Sequence, residues 1–174
     1  MKTTRRALDA LYDGAAVLAA ICLVLLLVVI VLQMAARWTG IPFPGSSDYA
    51  GYLMAAASFL AFAQALNRGA HIRVSLLFNA LDARKRYWAE LWSLTIATAA
   101  SVYLAWYAVK MVYWSRKLHD LSQGQDATPL WIAQMPMAIG AVILAICFVD
   151  NLVTLLVSGR DNIRTENLEQ SHAE

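Results

Sequence analysis

Four long apolar blocks, separated by short polar segments, set the pattern of this chain. They run over Gly14–Ala36, Tyr49–Leu66, Leu91–Val109 and Leu130–Val157, and the middle of each block holds no charged residue. A helix needs about 20 predominantly apolar residues to cross a bilayer. The pattern therefore predicts an all-α integral membrane protein with four transmembrane helices.

A shorter amphipathic stretch lies between the second and third blocks. In His71–Trp88 the apolar positions recur at i, i+3, i+4 and i+7, and polar residues fall on the opposite face. This stripe is too short to span a bilayer but suits a helix that lies in the membrane surface. The sequence therefore predicts an interfacial helix between helices two and three, and we expect His71, Arg73, Arg84, Lys85 and Arg86 to contact lipid at the inner surface.

The segments outside the blocks are read as connections and ends. Pro and Gly residues in Arg37–Ser47 and polar residues in Tyr113–Thr128 predict loops. Residues 1–13 form a predicted cytoplasmic basic lead, 14–158 a single four-helix membrane domain and 159–174 a cytoplasmic polar tail. A signal peptide is the alternative for the first block, but its apolar core would be only about 7–15 residues long. We therefore expect a retained helix.

Composition supports the membrane assignment. The chain is 60% hydrophobic and 15% charged, whereas soluble domains carry about a quarter charged residues. A net charge of +2 and the lack of a basic patch with interleaved aromatics exclude nucleic acid as a partner. Cys22 and Cys147 lie inside apolar blocks, where a free cysteine acts as a small hydrophobe.

The positions of the basic residues predict the orientation. With the N-terminus inside, ten of the fourteen Lys and Arg residues fall in inner segments, and the four outer ones are Arg37, Lys110, Arg116 and Lys117. Cytoplasmic segments carry this excess, so both termini are expected in the cytoplasm. Aromatic residues are expected at the two interfaces, and the inner ones include Tyr12, Tyr87, Trp88 and Trp92.

Candidate chemistry is sparse. Asp48 opens the second block, where it would serve as a helix N-cap or as a docking salt bridge to a partner. Asp150 would bind a proton or ion, reach the interface near the end of its helix, or pair with a neighbouring Arg. His71, His119 and His172 lie in a boundary, a loop and a tail, which does not suit haem ligation. We expect no catalytic, cofactor or metal site in this chain.

Small residues recur along the second and third blocks. In the second block, Ala57, Ala61 and Ala65 lie at i, i+4 and i+8, preceded by Gly51 and Ala55. The third block repeats this spacing at Ala97, Ser101 and Ala105. Such stripes let helix backbones approach closely in a membrane, where hydrophobicity does not drive helix association. We therefore expect these two helices to pack against protein.

Several of these features together resemble a known family. Four spans with both ends inside, Asp48 at the start of span two, His71-Ile72-Arg73-Val74 after it, and Pro129-Leu130-Trp131 at span four resemble the small, DctQ-like membrane subunit of tripartite ATP-independent periplasmic (TRAP) transporters. The resemblance covers about Ala7–Ser158. Many members carry Glu where this chain has Asp48, which keeps the charge but shortens its reach.

The resemblance implies a role that the residues alone do not. The small subunit would brace a large elevator-type membrane subunit that carries the substrate and sodium sites, while a periplasmic binding protein delivers an organic acid. The expected partner-interface residues are Asp48, Gly51, Ala55, Ala57, Ala61, Ala65, Ala97, Ser101, Ala105 and Trp131. Two alternatives stay open: a self-contained homodimeric transporter and a membrane anchor of a redox enzyme.

Overall fold

The computed structural model describes residues 2–67, 83–124 and 127–158. Within these ranges the chain forms four α-helices: α1 (Lys2–Thr39), α2 (Ser46–Asn67), α3 (Ala83–Leu118) and α4 (Leu130–Ser158). Each helix is long and apolar enough to cross a membrane. The predicted all-α architecture with four transmembrane helices is therefore confirmed.

Two helices extend well beyond the predicted spans. At 1.5 Å per residue, the 38 residues of α1 and the 36 residues of α3 measure about 57 and 54 Å, against a hydrocarbon core of about 30 Å. Residues 2–13 of the predicted basic lead are therefore part of α1. The predicted loop Tyr113–Thr128 was wrong in its first part, because α3 continues through Leu118.

The predicted interfacial helix is only partly within the described ranges. Residues 68–82, with His71 and Arg73, lie outside them, as does the predicted tail. Residues 83–88 belong to α3, so Arg84, Lys85 and Arg86 lie in the first turn of a transmembrane helix rather than at the end of a separate one. Arginine and lysine do not stop a helix, and the backbone continues through them.

The helices end in well-defined caps. Gly40 has φ +72° and the amide of Ile41 donates to the carbonyl of Ala36, which ends α1 with a left-handed residue. His119 ends α3 in the same way, with φ +55° and a hydrogen bond from the amide of Asp120 to the carbonyl of Ser115. These caps allow the chain to reverse within a few residues.

The helices pack as a row in the order α1, α2, α4, α3. The extensive contacts are α1 with α2, α2 with α4, and α4 with α3, while α1 barely touches α4. The last helix in sequence is therefore inserted between α2 and α3. Along the helix axes the bundle has two ends. The end that holds the connections Gly40–Gly45 and His119–Pro129 is called the connection end. The opposite end holds the start of α1 and the end of α4 and is called the terminal end.

Close packing of α2 on α4 depends on Gly140. A Cβ atom at this position would lie 2.5 Å from the carbonyl carbon of Phe59 and 2.6 Å from its oxygen. Next to it, Ala141 is fully buried and packs with Ala145 and with Ala105 of α3. Small side chains in the middle of α4 thus let both neighbours approach its backbone.

Candidate functional site

The small-residue stripe of α3 faces α4 of the same chain. Ser101 and Ala105 are buried, and Ala97 is half-buried. Ala105 packs against Ala141 and Ala145, while the hydroxyl of Thr98 donates to the carbonyl of Leu94 (2.7 Å) and of Phe148 in α4 (3.4 Å). Packing within the chain therefore explains these small residues without a partner subunit.

The small residues of α2 are divided between the inside of the chain and its surface. Ala57 is buried, Ala55, Ala61 and Ala65 are half-buried, and Gly51 is exposed, with no neighbouring atom within 4 Å of the place a Cβ atom would take. Only the exposed part of this stripe is open to a partner. The interface role assigned to these residues stays a prediction.

At the connection end, the α3–α4 connection folds over the start of α2. The hydroxyls of Tyr52 and Ser122 are 2.6 Å apart, and those of Tyr49 and Thr128 are 3.5 Å apart. The connection is itself closed by a hydrogen bond from the amide of Ser122 to the carbonyl of Thr128 (2.8 Å). This polar seam fixes the loop to a helix that is distant in sequence.

Asp48 lies in this polar seam. The helix begins at Ser46, and the carbonyl of Gly45 accepts hydrogen bonds from the amides of Asp48 and Tyr49. Asp48 is therefore in the first turn rather than at the predicted N-cap, although its charge still suits the positive end of the helix dipole. Its carboxylate lies directly against Gly124, where a Cβ atom would clash with it. The α3–α4 connection half-buries Asp48.

Trp131 joins α3 to α4 at the same end. The guanidinium carbon of Arg116 lies 5.6 Å from the centroid of the Trp131 ring, within the range of a cation–π interaction. The ring itself is half-buried. At least part of its surface is therefore occupied by this chain.

At the terminal end, α1, α2 and α4 meet in a cluster that we call the inner junction: the buried Tyr12, Gln64, Cys147 and Asn151, with the exposed Asp13 at its edge. The amide of Gln64 donates to the carboxylate of Asp13 over 2.7 Å, linking α2 to α1. The Cys147 thiol lies 3.7 Å from the carbonyl of Ala63, linking α4 to α2. Polar contacts therefore reinforce the apolar packing of three helices.

Tyr12 and Asn151 lie deepest in the inner junction. Tyr12 is 1% exposed, so its ring packs between helices, and its predicted depth at the inner interface stays a prediction. Asn151 is also 1% exposed, and its amide donates to the carbonyl of Cys147 over 2.9 Å. The hydroxyl of Tyr12 and the side-chain oxygen of Asn151 have no hydrogen-bond partner within the described residues. The neighbouring Asp150, a candidate ion site, is half-buried.

The two outer helices of the row present very different surfaces. The outward face of α1 carries only aliphatic side chains through the membrane: Val17, Ile21, Val24, Val28 and Val31. The outward face of α3 carries exposed aromatic residues, which we call the aromatic face: Trp92, Tyr103, Trp106, Tyr107 and Tyr113. Aliphatic side chains match lipid tails, whereas tyrosine and tryptophan also carry a hydrogen-bonding group.

Groups of metal-binding side chains are absent from the described ranges. No three His, Cys, Asp or Glu residues there lie close enough to hold a metal ion. Cys22 and Cys147 are both free thiols. Of the three histidines, His119 is exposed in the connection after α3, and His71 and His172 lie outside the described residues.

Sequence reasoning missed the residues that hold the helices together. Gly140, Gln64 and Asn151 were not selected, because a single glycine or amide in an apolar block has no spacing that marks its neighbour. The only available signal was the presence of small or polar residues in α2 and α4, which are the two inner helices of the row. The order of the helices in space had to be known first.

Comparison with known protein families gives a match over most of the chain. Residues 26–158 match the model of the family described as tripartite ATP-independent periplasmic transporters, DctQ component. The match runs from the middle of α1 to the end of α4. Comparison with individually curated proteins finds no match.

Proposed function

Because the chain belongs to the family of DctQ components of TRAP transporters, we propose that it serves a sodium-coupled transporter of organic acids as its non-catalytic small permease subunit. Its role is to brace the large elevator-type membrane subunit. The family is one of transporter components rather than enzymes, and a family member with four membrane-spanning helices is a multi-pass protein of the inner membrane.

The observation that carries this proposal is how the chain uses its intramembrane polar groups. Gln64 binds Asp13, Thr98 reaches the carbonyl of Phe148, and Asn151 donates to the carbonyl of Cys147. Polar groups that bind a transported solute have to face a cavity or pathway. Here Gln64 and Thr98 join helices of the same chain and Asn151 bonds within its own helix, which supports a structural role.

The shape of the helix row suits a brace. Neighbouring packed helices lie about 8–10 Å apart, so a row of four occupies a wide strip of membrane beside its partner. The deep contacts in the row are fixed by buried residues such as Leu60, Ala141 and Leu155. A broad, well-packed support resists tilting while a neighbouring domain moves across the bilayer.

The proposed orientation places the terminal end in the cytoplasm and the connection end in the periplasm. The excess of basic residues in the inner segments supports it. In this orientation the polar seam of Asp48, Tyr52 and Ser122 faces the compartment of the substrate-binding protein. The large membrane subunit and this binding protein are the two partners of the chain, and sodium binds to the large subunit.

Reconstitution in liposomes tests the proposal. We expect no uptake of radiolabelled carboxylates by this chain alone, with or without a sodium gradient. Uptake is expected when the large subunit and the binding protein are present with it, and it should fall to background when the chain is left out. Uptake by the chain alone would support the homodimeric transporter instead.

A further inference from the structure

The aromatic face of α3 has a composition that lipid does not require. Trp106 is 70% exposed and Tyr103 is 65% exposed, and both lie on the side of the helix opposite Ser101 and Ala105, which pack toward α4. The equivalent face of α1 is aliphatic from Val17 to Val31, with Val24 at 61% exposure, and Trp38 is exposed only at the end of the helix. Helices α1 and α3 are the two outer helices of the row, so their different surfaces indicate different neighbours in the membrane.

The depth of Tyr103 is the second observation. Glu90 and Lys110 bound the uncharged part of α3, and at 1.5 Å per residue they lie about 30 Å apart, the thickness of the hydrocarbon core. Tyr103 is then about 10 Å inside the core. Its ring lies 4.6 Å from the ring of Tyr107, one turn along the same helix. Tyrosine and tryptophan favour the membrane interface, and phenol hydroxyls at this depth gain further hydrogen bonds from a neighbouring protein but none from lipid tails.

Charge provides a third observation. Lys110 and Lys117 follow the aromatic face at the connection end, and both are exposed. Each is stacked over a ring of its own helix: the Lys110 ammonium nitrogen lies 5.7 Å from the Tyr107 centroid and that of Lys117 lies 4.9 Å from the Trp114 centroid. Within the described residues neither lysine forms a salt bridge. The face therefore complements a helix with an acidic residue near its periplasmic end.

We propose that the aromatic face, with Lys110 at its end, is the docking surface for a transmembrane helix of the large membrane subunit. This inference rests on the proposed function. From Trp92 to Tyr113 the face measures about 32 Å, enough to follow a partner helix across the whole hydrocarbon core. The outward face of α1 contacts lipid. The large subunit therefore binds at the α3 end of the row.

Photo-crosslinking tests this without disturbing the packing of the chain. A photoreactive benzoylphenylalanine replaces Tyr103 or Trp106 in the complex in native membranes, and matched controls carry it at Val24 or Val28 of α1. We expect the large subunit to be captured from the two α3 positions about tenfold more than from the α1 positions. Capture from α1 but not from α3, or capture of a second copy of this chain from α3, would overturn the inference.

Substitution provides an independent readout. The double variant Tyr103→Leu, Trp106→Leu removes two exposed aromatic residues and keeps the helix apolar. Loss of aromatic anchors of this kind weakens association about 30-fold, so co-purification of the large subunit should fall accordingly. The control Val24→Leu, Val28→Leu should leave it unchanged. Thermal unfolding of each small subunit verifies that the fold is kept.

The two proposals fail in different ways. If the wild-type chain co-purifies with the large subunit and the double variant binds as well as wild type, the aromatic face is not the docking surface, while the bracing role stands. If the wild-type chain does not co-purify with the large subunit, both proposals are wrong.

Discussion

Gly140 shows how one hydrogen atom sets the distance between two helices. Its α-hydrogen points at the backbone of Phe59, and a methyl group there would lie 2.5 Å from a carbonyl carbon. Gly51 of α2 makes a matched control, because no neighbour lies within 4 Å of its Cβ position. The two glycines therefore differ in function although both lie in transmembrane helices.

We expect Gly140→Ala to lower the free energy of unfolding by about 1–3 kcal/mol, the usual effect of overpacking. Gly51→Ala should be neutral or raise the stability by up to about 1 kcal/mol, because alanine favours the helix. Thermal unfolding in detergent measures both. Equal stability of the two variants would contradict the close approach of α2 and α4.

A second residue-scale prediction concerns the polar seam. Tyr52→Phe removes the hydroxyl that lies 2.6 Å from the hydroxyl of Ser122 and should lower stability by about 0.5–1.5 kcal/mol. In a double-mutant cycle with Ser122→Ala, the loss in the double variant should be smaller than the sum of the two single losses. Ser122→Ala keeps some effect in the Tyr52→Phe background, because the Ser122 hydroxyl also accepts a hydrogen bond from the amide of Gly124 (3.2 Å). Tyr113→Phe is the control, since the Tyr113 hydroxyl makes no hydrogen bond within the described residues. Strictly additive effects would show that the two hydroxyls do not interact.

At the scale of the elements, the sequence predicted the existence of the four helices better than their ends. Charge-free blocks longer than a bilayer leave few alternatives to a transmembrane helix. The ends were less certain because residues 84–86 and 113–118 are compatible with either helix or loop. The caps at Gly40 and His119 decide where α1 and α3 stop, and a left-handed histidine has no reliable sequence signal.

The inner junction yields a prediction about how the elements are joined. Gln64→Leu removes a hydrogen bond between α2 and α1 and should lower stability by about 0.6–1.7 kcal/mol. Asn151→Leu removes a bond within α4 together with a buried oxygen that has no partner in the described residues. It should therefore be neutral or stabilising. The changes in stability measured by thermal unfolding should differ in sign or size between the two variants. A larger loss of stability for Asn151→Leu than for Gln64→Leu would contradict this assignment.

At the scale of the whole molecule, the small-residue stripes predicted correctly that a helix face packs against protein. They did not identify the helix that covers it. The sequence predicted that Ser101 and Ala105 would pack against protein, and the structure places them against α4 of the same chain. Spacing along one helix reveals a packing face but does not say which helix covers it. The aromatic face was not selected, because Trp92 and Tyr113 were interpreted as interface anchors and Tyr103, Trp106 and Tyr107 have no partner that the sequence alone reveals.

The orientation of the whole molecule can be tested by labelling introduced cysteines. Gln123 in the α3–α4 connection and Lys85 at the start of α3 are both exposed. Gln123 lies at the connection end and Lys85 at the terminal end. A membrane-impermeant maleimide should label Gln123→Cys from the periplasm, and Lys85→Cys only after the membrane is permeabilised. Wild type, with Cys147 buried and Cys22 half-buried, gives the background. The reverse labelling pattern would mean that the termini are periplasmic.

The position of α4 between α2 and α3 also matters while the protein is being made. The first two helices can pair as soon as both have left the ribosome, because each is the other's neighbour in the row. Helix α3 leaves the ribosome before α4, its packing partner, has been synthesised. Until α4 is made, the face of α3 that carries Thr98, Ser101 and Ala105 is not covered by its partner in the finished fold. The row is complete only when α4 has been inserted and packs against both α2 and α3.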